Sequence, residues 1–287
     1  MTEHTTQRTT RPVLVTGATG MTGSRVLAQL RERGVAVRAA SRSSEWRFDW
    51  NDPTTWDRVL DGAGAVYLVQ NDEDPRIPEF VGRAVALGVE RIVQLSARGV
   101  DGPAYPESGD ESPAHLVAER AVRASGLEWT ILRPNWFSQN FSEGLLSDGV
   151  RSGVLRLPTA DGATTWIDTE DIGAVAVAAL TEPGHHGRTY ELGGPAALNL
   201  SEAAAEISGA LGRTIRYEPV SEEEYSRGLV AQGWSEAGVE EMTVALSAIR
   251  RGLESTYVSG VREALGREPR GFSDYVARTF HEGWGVS

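Results

Sequence analysis

The segment Thr16-Gly17-Ala18-Thr19-Gly20-Met21-Thr22-Gly23 constrains this chain more than any other. Before it lies the short apolar run Pro12-Val13-Leu14-Val15-Thr16, which suits a buried parallel strand. After it, Val26, Leu27 and Leu30 fall on one face at helical spacing, and Gly34 stands just past the end. Three glycines at GxxGxxG spacing exceed what a plain strand-to-helix turn needs. Glycine permits a tight turn and close approach of an anion, and a helix N-terminus offers unpaired N–H groups and a positive dipole end. The pattern predicts a strand–turn–helix unit that holds the pyrophosphate of a dinucleotide.

The chain beyond repeats the alternation. Val35 to Ala40 reads as a strand, Thr54 to Leu60 as a helix and Ala65 to Val69 as a strand. Phe80, Val81, Ala84, Val85 and Leu87 make an amphipathic helix closed by Gly88, and Arg91 to Ser96 is the next strand. Ser112-Pro113 fits an N-cap followed by a first-turn proline, opening a helix to Ser125-Gly126; Trp129 to Leu132 is a further strand. After Arg133-Pro134 the rhythm changes. Residues 141–165 read as a crossing segment, Ile172 to Leu180 as a helix and Arg188 to Leu192 as a strand. A second set follows from Pro195, with a helix over Ser201 to Leu211, a strand at Thr214 to Tyr217 and several amphipathic helices. The expected fold is α/β, a doubly wound parallel-sheet Rossmann fold with right-handed crossovers and a smaller α-rich C-terminal substrate part. Its expected parts are a disordered lead-in over 1–11, a dinucleotide-binding domain over 12–194 and a substrate-binding part over 195–287.

Two absences remove whole classes of chemistry. There is no cysteine, which excludes thiolate nucleophiles, disulfides and iron–sulfur clusters. There is also no lysine, so all 28 basic residues are arginine and Schiff-base chemistry is closed. The net charge of -12 repels polyphosphate backbones, so no nucleic-acid partner is expected. No apolar run approaches the roughly 20 residues that span a bilayer, and the polar lead-in has no signal-peptide core. A cytoplasmic protein with no membrane partner is expected. The adjacent His185-His186 lack acidic partners at ligand spacing, and no metal site is expected.

NAD-specific sites place an acid near the end of the second strand, on the ribose 2′-OH. Here that stretch is Arg38-Ala39-Ala40-Ser41-Arg42-Ser43-Ser44, with no acid before Glu45. Arg42 suits a charge-assisted contact with a 2′-phosphate, with Ser41 and Ser43 as further donors. NADP(H) is therefore the expected cofactor.

The TGATGxxG turn, Arg42, Asp49-Trp50 ahead of Asn51-Asp52-Pro53, and the strand Ile92-Val93-Gln94-Leu95-Ser96 resemble the atypical short-chain dehydrogenase/reductases, in particular their NmrA-like branch. So do the run Ser125 to Pro134 with Phe137 and Asn140, Trp166-Ile167-Asp168 with Asp171-Ile172, Tyr190-Glu191-Leu192 and Ala210-Leu211-Gly212-Arg213. The resemblance covers roughly residues 12 to 282, and chain length is similar to the NADPH quinone reductases and triphenylmethane reductases of that branch. It implies that Asp49 and Trp50 border the adenine, that Leu68, Val69 and Gln70 line the ribose side, and that Ser96 lies near the nicotinamide ribose as a candidate catalytic residue. It further implies that the backbone from Pro134 to Phe137 holds the carboxamide end.

Ordinary members of the superfamily use a Tyr-x-x-x-Lys pair, which cannot exist without lysine. At the corresponding helix this chain offers His115 and, four residues on, Glu119 on the same face. Histidine can donate a proton near neutral pH, which makes His115 a candidate acid; its bland role is local packing while Glu119 pairs with Arg123. Tyr105, Asn135, Trp136 and Asn140 are candidate acceptor contacts. Trp46, Trp50, Trp136 and Trp166 fall in regions expected near the cofactor cleft, with core packing favoured for Trp166. The expected function is an NADPH-dependent reductase that transfers hydride to a planar conjugated acceptor: a quinone, an aromatic or polyketide ketone, or an iminium. The alternative is an NADP(H)-binding redox sensor that signals without turnover; an epimerase or dehydratase is argued against by the missing tyrosine–lysine pair.

Overall fold

The computed structural model describes residues 11–71, 76–102 and 114–285. Lead-in residues 1–10, Tyr105, Ser112 and Pro113 lie outside the described residues. In chain order the elements are β1 (Val13–Val15), α1 (Met21–Glu32), β2 (Val37–Ser41), β3 (Trp46–Arg47), α2 (Trp56–Leu60), β4 (Ala65–Val69), α3 (Ile77–Ala86), β5 (Arg91–Leu95), α4 (Ala114–Ala124) and β6 (Glu128–Pro134). There follow α5 (Ser147–Ser152), β7 (Val154–Leu155), β8 (Ala163–Thr164), α6 (Thr169–Thr181), β9 (Arg188–Leu192), β10 (Leu198–Asn199), α7 (Leu200–Leu211), β11 (Arg216–Tyr217), α8 (Glu222–Ala231), α9 (Glu236–Arg250), α10 (Gly260–Leu265) and α11 (Phe272–Thr279).

Seven strands form one sheet in the order β3-β2-β1-β4-β5-β6-β9. Every pairing from β3 across to β6 is parallel. The chain winds outward from β1 in both directions, so the order reverses between β1 and β4. In open parallel sheets that switch point is where ligands settle, at the carboxyl ends of the strands. The doubly wound parallel sheet read from the alternating pattern is the one observed.

Among the described residues the chain packs as two compact units. The first holds 11–71, 76–96, 114–132 and 173–189; the second holds 97–102, 133–172 and 190–285. In the first unit Leu14, Val66, Leu68 and Ile92 meet the helices at zero exposure. Phe48, Trp50, Trp56 and Phe80 pack edge to face or tilted, with ring centroids 5.0 to 5.9 Å apart. In the second unit Phe141, Leu146, Val150, Leu155 and Leu157 share a core with Trp166 and with side chains of α7, α9 and α11. The 141–165 stretch, expected as a crossing segment, therefore contains α5, β7 and β8 and contributes to that core.

Strand limits differ from expectation where a backbone N–H is taken by another partner. Gly34, at φ +67°, donates to Arg31 O, and Val35 donates to Leu30 O; these bonds finish α1 and delay β2 to Val37. Likewise the Ile215 amide donates to Ser208 Oγ at 2.8 Å, so the expected strand at Thr214 shortens to Arg216–Tyr217. Arg11, expected as the end of the lead-in, is instead tied down, with Nη1 on Glu90 Oε1 at 3.0 Å and Nη2 on Ala63 O at 2.6 Å.

Phe80 is fully buried at the centre of the aromatic group. Phe80→Ala is expected to lower stability by about 3–5 kcal/mol in urea unfolding of the full chain. A loss below about 1 kcal/mol would mean that this cluster is not what holds the first unit.

Candidate functional site

The glycine turn is built so that backbone lies against backbone. Gly17 adopts φ +60°, a left-handed conformation that disfavours side chains, and a Cβ there would stand 3.3 Å from Val69 Cβ. A Cβ on Gly23 would stand 2.2 Å from Gly17 O, closer than atoms can approach. Thr16 fixes the other side: its Oγ1 donates to Tyr67 O at 3.1 Å and accepts from the Val69 amide at 2.8 Å. Helix α1 then starts behind Gly20, with no side-chain cap and no acid in its first turn. Such an end leaves its first N–H groups in want of an anionic partner. Thr19 and Gly20 are exposed at the tip, while Thr22 and Gly23 are buried beneath it. The donor set and the missing side chains fit a pyrophosphate.

At the end of β2, Arg42 and Ser43 are exposed, and among the described residues Arg42 makes no ion pair or hydrogen bond. Ser41 Oγ is buried with no partner. Arg38 is committed elsewhere: its guanidinium lies 4.4 Å from the Trp46 ring centroid and donates to Val59 O at 2.9 Å. Asp49 accepts from the Asn51 amide through Oδ1 at 3.0 Å, and its carbonyl accepts from Trp56 Nε1 at 3.0 Å. Trp50 is half-buried, and its ring packs on the aromatic group of the first unit.

Leu68 and Val69 close β4, with Val69 against Gly17 of the turn, and Gln70 follows the strand. Ser96 follows β5 and is 2% exposed. Its amide donates to Leu132 O at 2.7 Å and its hydroxyl donates to Glu119 Oε1 at 2.6 Å. Glu119 is wholly buried on α4, and its other oxygen pairs with Arg123 at 2.8 Å. Sequence reasoning saw the Glu119–Arg123 spacing but not the bond from Ser96 that ties the end of β5 to Glu119 on α4. His115 is half-buried one helical turn before Glu119, and its carbonyl accepts from Gln94 Nε2 at 3.3 Å.

The remaining candidates lie in the second unit. Pro134 closes β6, and Phe137 bridges to Ile167. Asn135 is 4% exposed; its Nδ2 donates to Thr165 Oγ1 at 2.8 Å and to Glu254 O at 3.1 Å, and its Oδ1 accepts from the Trp136 amide at 3.0 Å. Trp136 and Asn140 are half-buried. Trp166 packs on Phe141 at 4.8 Å between ring centroids and donates through Nε1 to Leu198 O at 3.0 Å, as expected of a core residue. Asp168 accepts from Gln139 Nε2 at 2.8 Å, caps Glu170 and pairs with Arg278. Asp171 is clamped by Arg267 at 2.6 Å and Arg270 at 2.8 Å. These two buried carboxylates brace the start of α6.

His185 and His186, in the first unit, have separate tasks. The His185 carbonyl accepts from Thr130 Oγ1 at 2.8 Å, burial pushes its imidazole below the ordinary value, and His186 Nδ1 accepts from the Trp129 amide at 3.1 Å. Among the described residues no three acidic or histidine side chains are grouped to hold a metal, and no helix is long and apolar enough to cross a membrane.

The NAD(P)H-binding family matches residues 17–183, starting at the first glycine of the turn, and the chain belongs to that family. The resemblance carried by the sequence motifs agrees with this family, and the cofactor is a nicotinamide dinucleotide, as the turn implies. The prestalk A differentiation protein A of Dictyostelium discoideum is 33% identical, over 93% of this chain and 92% of that protein. The (4-alkanoyl-5-oxo-2,5-dihydrofuran-3-yl)methyl phosphate reductase of Streptomyces griseus is 34% identical, over 92% and 96%. An NADPH-dependent quinone oxidoreductase of Escherichia coli, solved with NADPH, has the same fold, with a TM-score of 0.74, 22% identity and coverage of 93% and 99%.

Two glycine variants separate folding from binding. Gly20 has φ -81° and meets only Gly17 O at 3.3 Å, so Gly20→Val is expected to keep its melting temperature within a few degrees yet lose NADPH binding in calorimetry. Retained affinity would remove the turn from the site. Gly23→Ala collides with backbone and is expected to unfold the turn itself, seen as a loss of melting temperature.

Proposed function

We propose that this protein is an NADPH-dependent reductase that delivers hydride to a planar conjugated acceptor, such as a quinone, an aromatic or polyketide ketone, or an iminium. The observation that carries the reading is the uncapped, acid-free start of α1 behind the glycine turn, together with an uncommitted Arg42 at the end of β2. The bound cofactor would supply the hydride. Gly17, Thr19, Gly20, Met21, Thr22 and Gly23 would cradle its pyrophosphate through backbone N–H groups. Ser41, Arg42 and Ser43 would take the 2′-phosphate, and Leu68, Val69 and Gln70 would line the ribose. Asp49 and Trp50 would border the adenine.

Ser96 is assigned a positioning role, because its hydroxyl proton is already given to Glu119. His115 is the assigned acid, on the same helix as Glu119. Pro134 and Phe137 would meet the carboxamide end, and Trp136 and Asn140 the acceptor. Asn135 would act as a strut, since its amide is spent inside the second unit. The streptomycete relative is named for reducing a ring whose double bond is conjugated with carbonyl groups, which supports a conjugated acceptor. A sensor without turnover is the second reading. One observation favours it: the Dictyostelium relative is named for differentiation and not for a reaction.

Oxidation of NADPH in the presence of quinones and aromatic ketones, with NADH in parallel, tests the reading. Turnover with any acceptor supports the reductase; tight NADPH binding with none across the panel supports the sensor. Arg42→Ala is expected to weaken NADPH about 10- to 100-fold, the loss of one charge-assisted contact, while NADH changes less than about twofold. Equal weakening of both cofactors would remove the 2′-phosphate assignment. For His115→Ala a fall in kcat of about tenfold or more is expected from loss of an acid. A rate within about twofold of the parent would mean that no acid is needed at that position.

A further inference from the structure

Glu254 stands in the turn after α9, outside every motif of the sequence. It is 6% exposed, and its Oε2 is buried with no hydrogen-bond partner. Its Oε1 lies over Gly99, 3.4 Å from where a Cβ would stand. Its main-chain carbonyl gathers three donors: Arg98 Nη1 at 3.2 Å, Asn135 Nδ2 at 3.1 Å and the Thr165 amide at 3.3 Å. Arg98 is itself almost enclosed and reaches Glu191 Oε2 with Nε at 3.6 Å. All these residues belong to the second unit. The guanidinium of Arg98 is thus engaged with the half-exposed Glu191 and with the Glu254 main-chain carbonyl, and not with the Glu254 carboxyl. A buried carboxylate lacking hydrogen bonds costs far more than its neutral acid.

We propose that Glu254 is a proton-switched positioning residue of the second unit: uncharged, it leaves Arg98 on Glu191 and Asn135 anchored, and on losing its proton it draws Arg98 toward its own carboxylate and disturbs that anchor. The charged groups that face it are Arg98, from the segment after β5, and Glu191, from β9; Asn135 and Thr165 are neutral. Burial pushes the Glu254 carboxyl up to about 7, against the pull of Arg98 and with the push of Glu191. The change therefore falls in the neutral range. Asn135 Oδ1 holds the Trp136 amide, so the switch reaches a residue assigned above to the acceptor. That consequence rests on the proposed reductase reading; the switch itself does not.

The sign follows from linkage. The folded carboxyl lies above its ordinary value of 4.5, so the stability tied to this site is fully present below that value and is lost as pH rises toward about 7. Urea unfolding of the full chain between about pH 4.5 and 8.5 would compare the parent with Glu254→Gln and Glu191→Gln. Relative to the parent, Glu254→Gln should gain little at the acid end and about 10- to 100-fold in the folding equilibrium near pH 7.5, at most tenfold per pH unit. Glu191→Gln frees Arg98 for Glu254 and should move the parent's window toward acid. Parallel profiles for the parent and Glu254→Gln, or a Glu191→Gln profile identical to the parent, would overturn the switch. With 2-methyl-1,4-naphthoquinone as probe acceptor, the parent's KM should rise severalfold from pH 6 to 8 and that of Glu254→Gln should stay flat, with NADPH affinity unchanged in both. A KM profile unaltered by Glu254→Gln would overturn the positioning role. If the parent reduces no acceptor at all, the reductase reading falls while the unfolding profiles still decide the switch.

Discussion

The missing side chain at Gly23 allows the first turn of α1 to rest on the carbonyl of Gly17, and the nucleotide end of the first unit depends on that approach. Any Cβ at that position would drive the helix off β1 and uncover Val26 and Leu30, both fully buried. Thr16 continues the same construction by stitching the end of β1 to β4 through one hydroxyl that both donates and accepts. The turn, the switch in strand order and the bare helix end are therefore one feature seen at three scales. Binding an anion there requires no rearrangement of a cap, because Gly20 supplies none. Under the proposed reading that is preorganisation by omission: affinity would come from what the sequence leaves out as much as from what it contains.

Much of this was legible beforehand, because the signals are local. Glycine spacing, short apolar runs and helix-ending glycines act within a few residues, and they located the strands and helices of the first unit. Legibility failed where a group of the preceding helix captures a backbone donor that strand pairing would need. Val35 and Ile215 carry strand-like sequence, yet their amides are taken by Leu30 O and Ser208 Oγ. It failed again for the buried acids. A sequence displays charge but not depth, so Asp168, Asp171 and Glu254 look like ordinary surface residues until the fold encloses them. Asn135 illustrates a third limit: the family resemblance pointed to its position, whereas its amide group turns inward to Thr165 and Glu254. The backbone of a segment carries over between relatives more readily than the task of each side chain.

A chain without lysine builds its internal electrostatics from one kind of cation. Guanidinium groups reach Asp171 twice and Asp168 and Glu119 once each. Their forked donors match carboxylate oxygens, and they keep their charge throughout the working pH range. Proton exchange near neutral pH is then left to histidines and to acids whose carboxyl burial raises. Under the proposed switch Glu254 belongs to the second group, since burial raises its carboxyl while Arg98 reaches Glu191.

The interleaving of the two units also sets a timetable. The first unit lacks its last stretch until residue 189 has been made. The apolar side chains of the 141–166 region, Phe141, Leu146, Val150 and Trp166 among them, have their partners on α7, α9 and α11, up to Phe280 near the end of the described chain. A nascent chain stalled at residue 200 would carry every segment of the first unit, while the apolar side chains of 141–166 would lack their partners on α7, α9 and α11. The second unit therefore closes only after the α7, α9 and α11 segments have been made, because its core draws on all three.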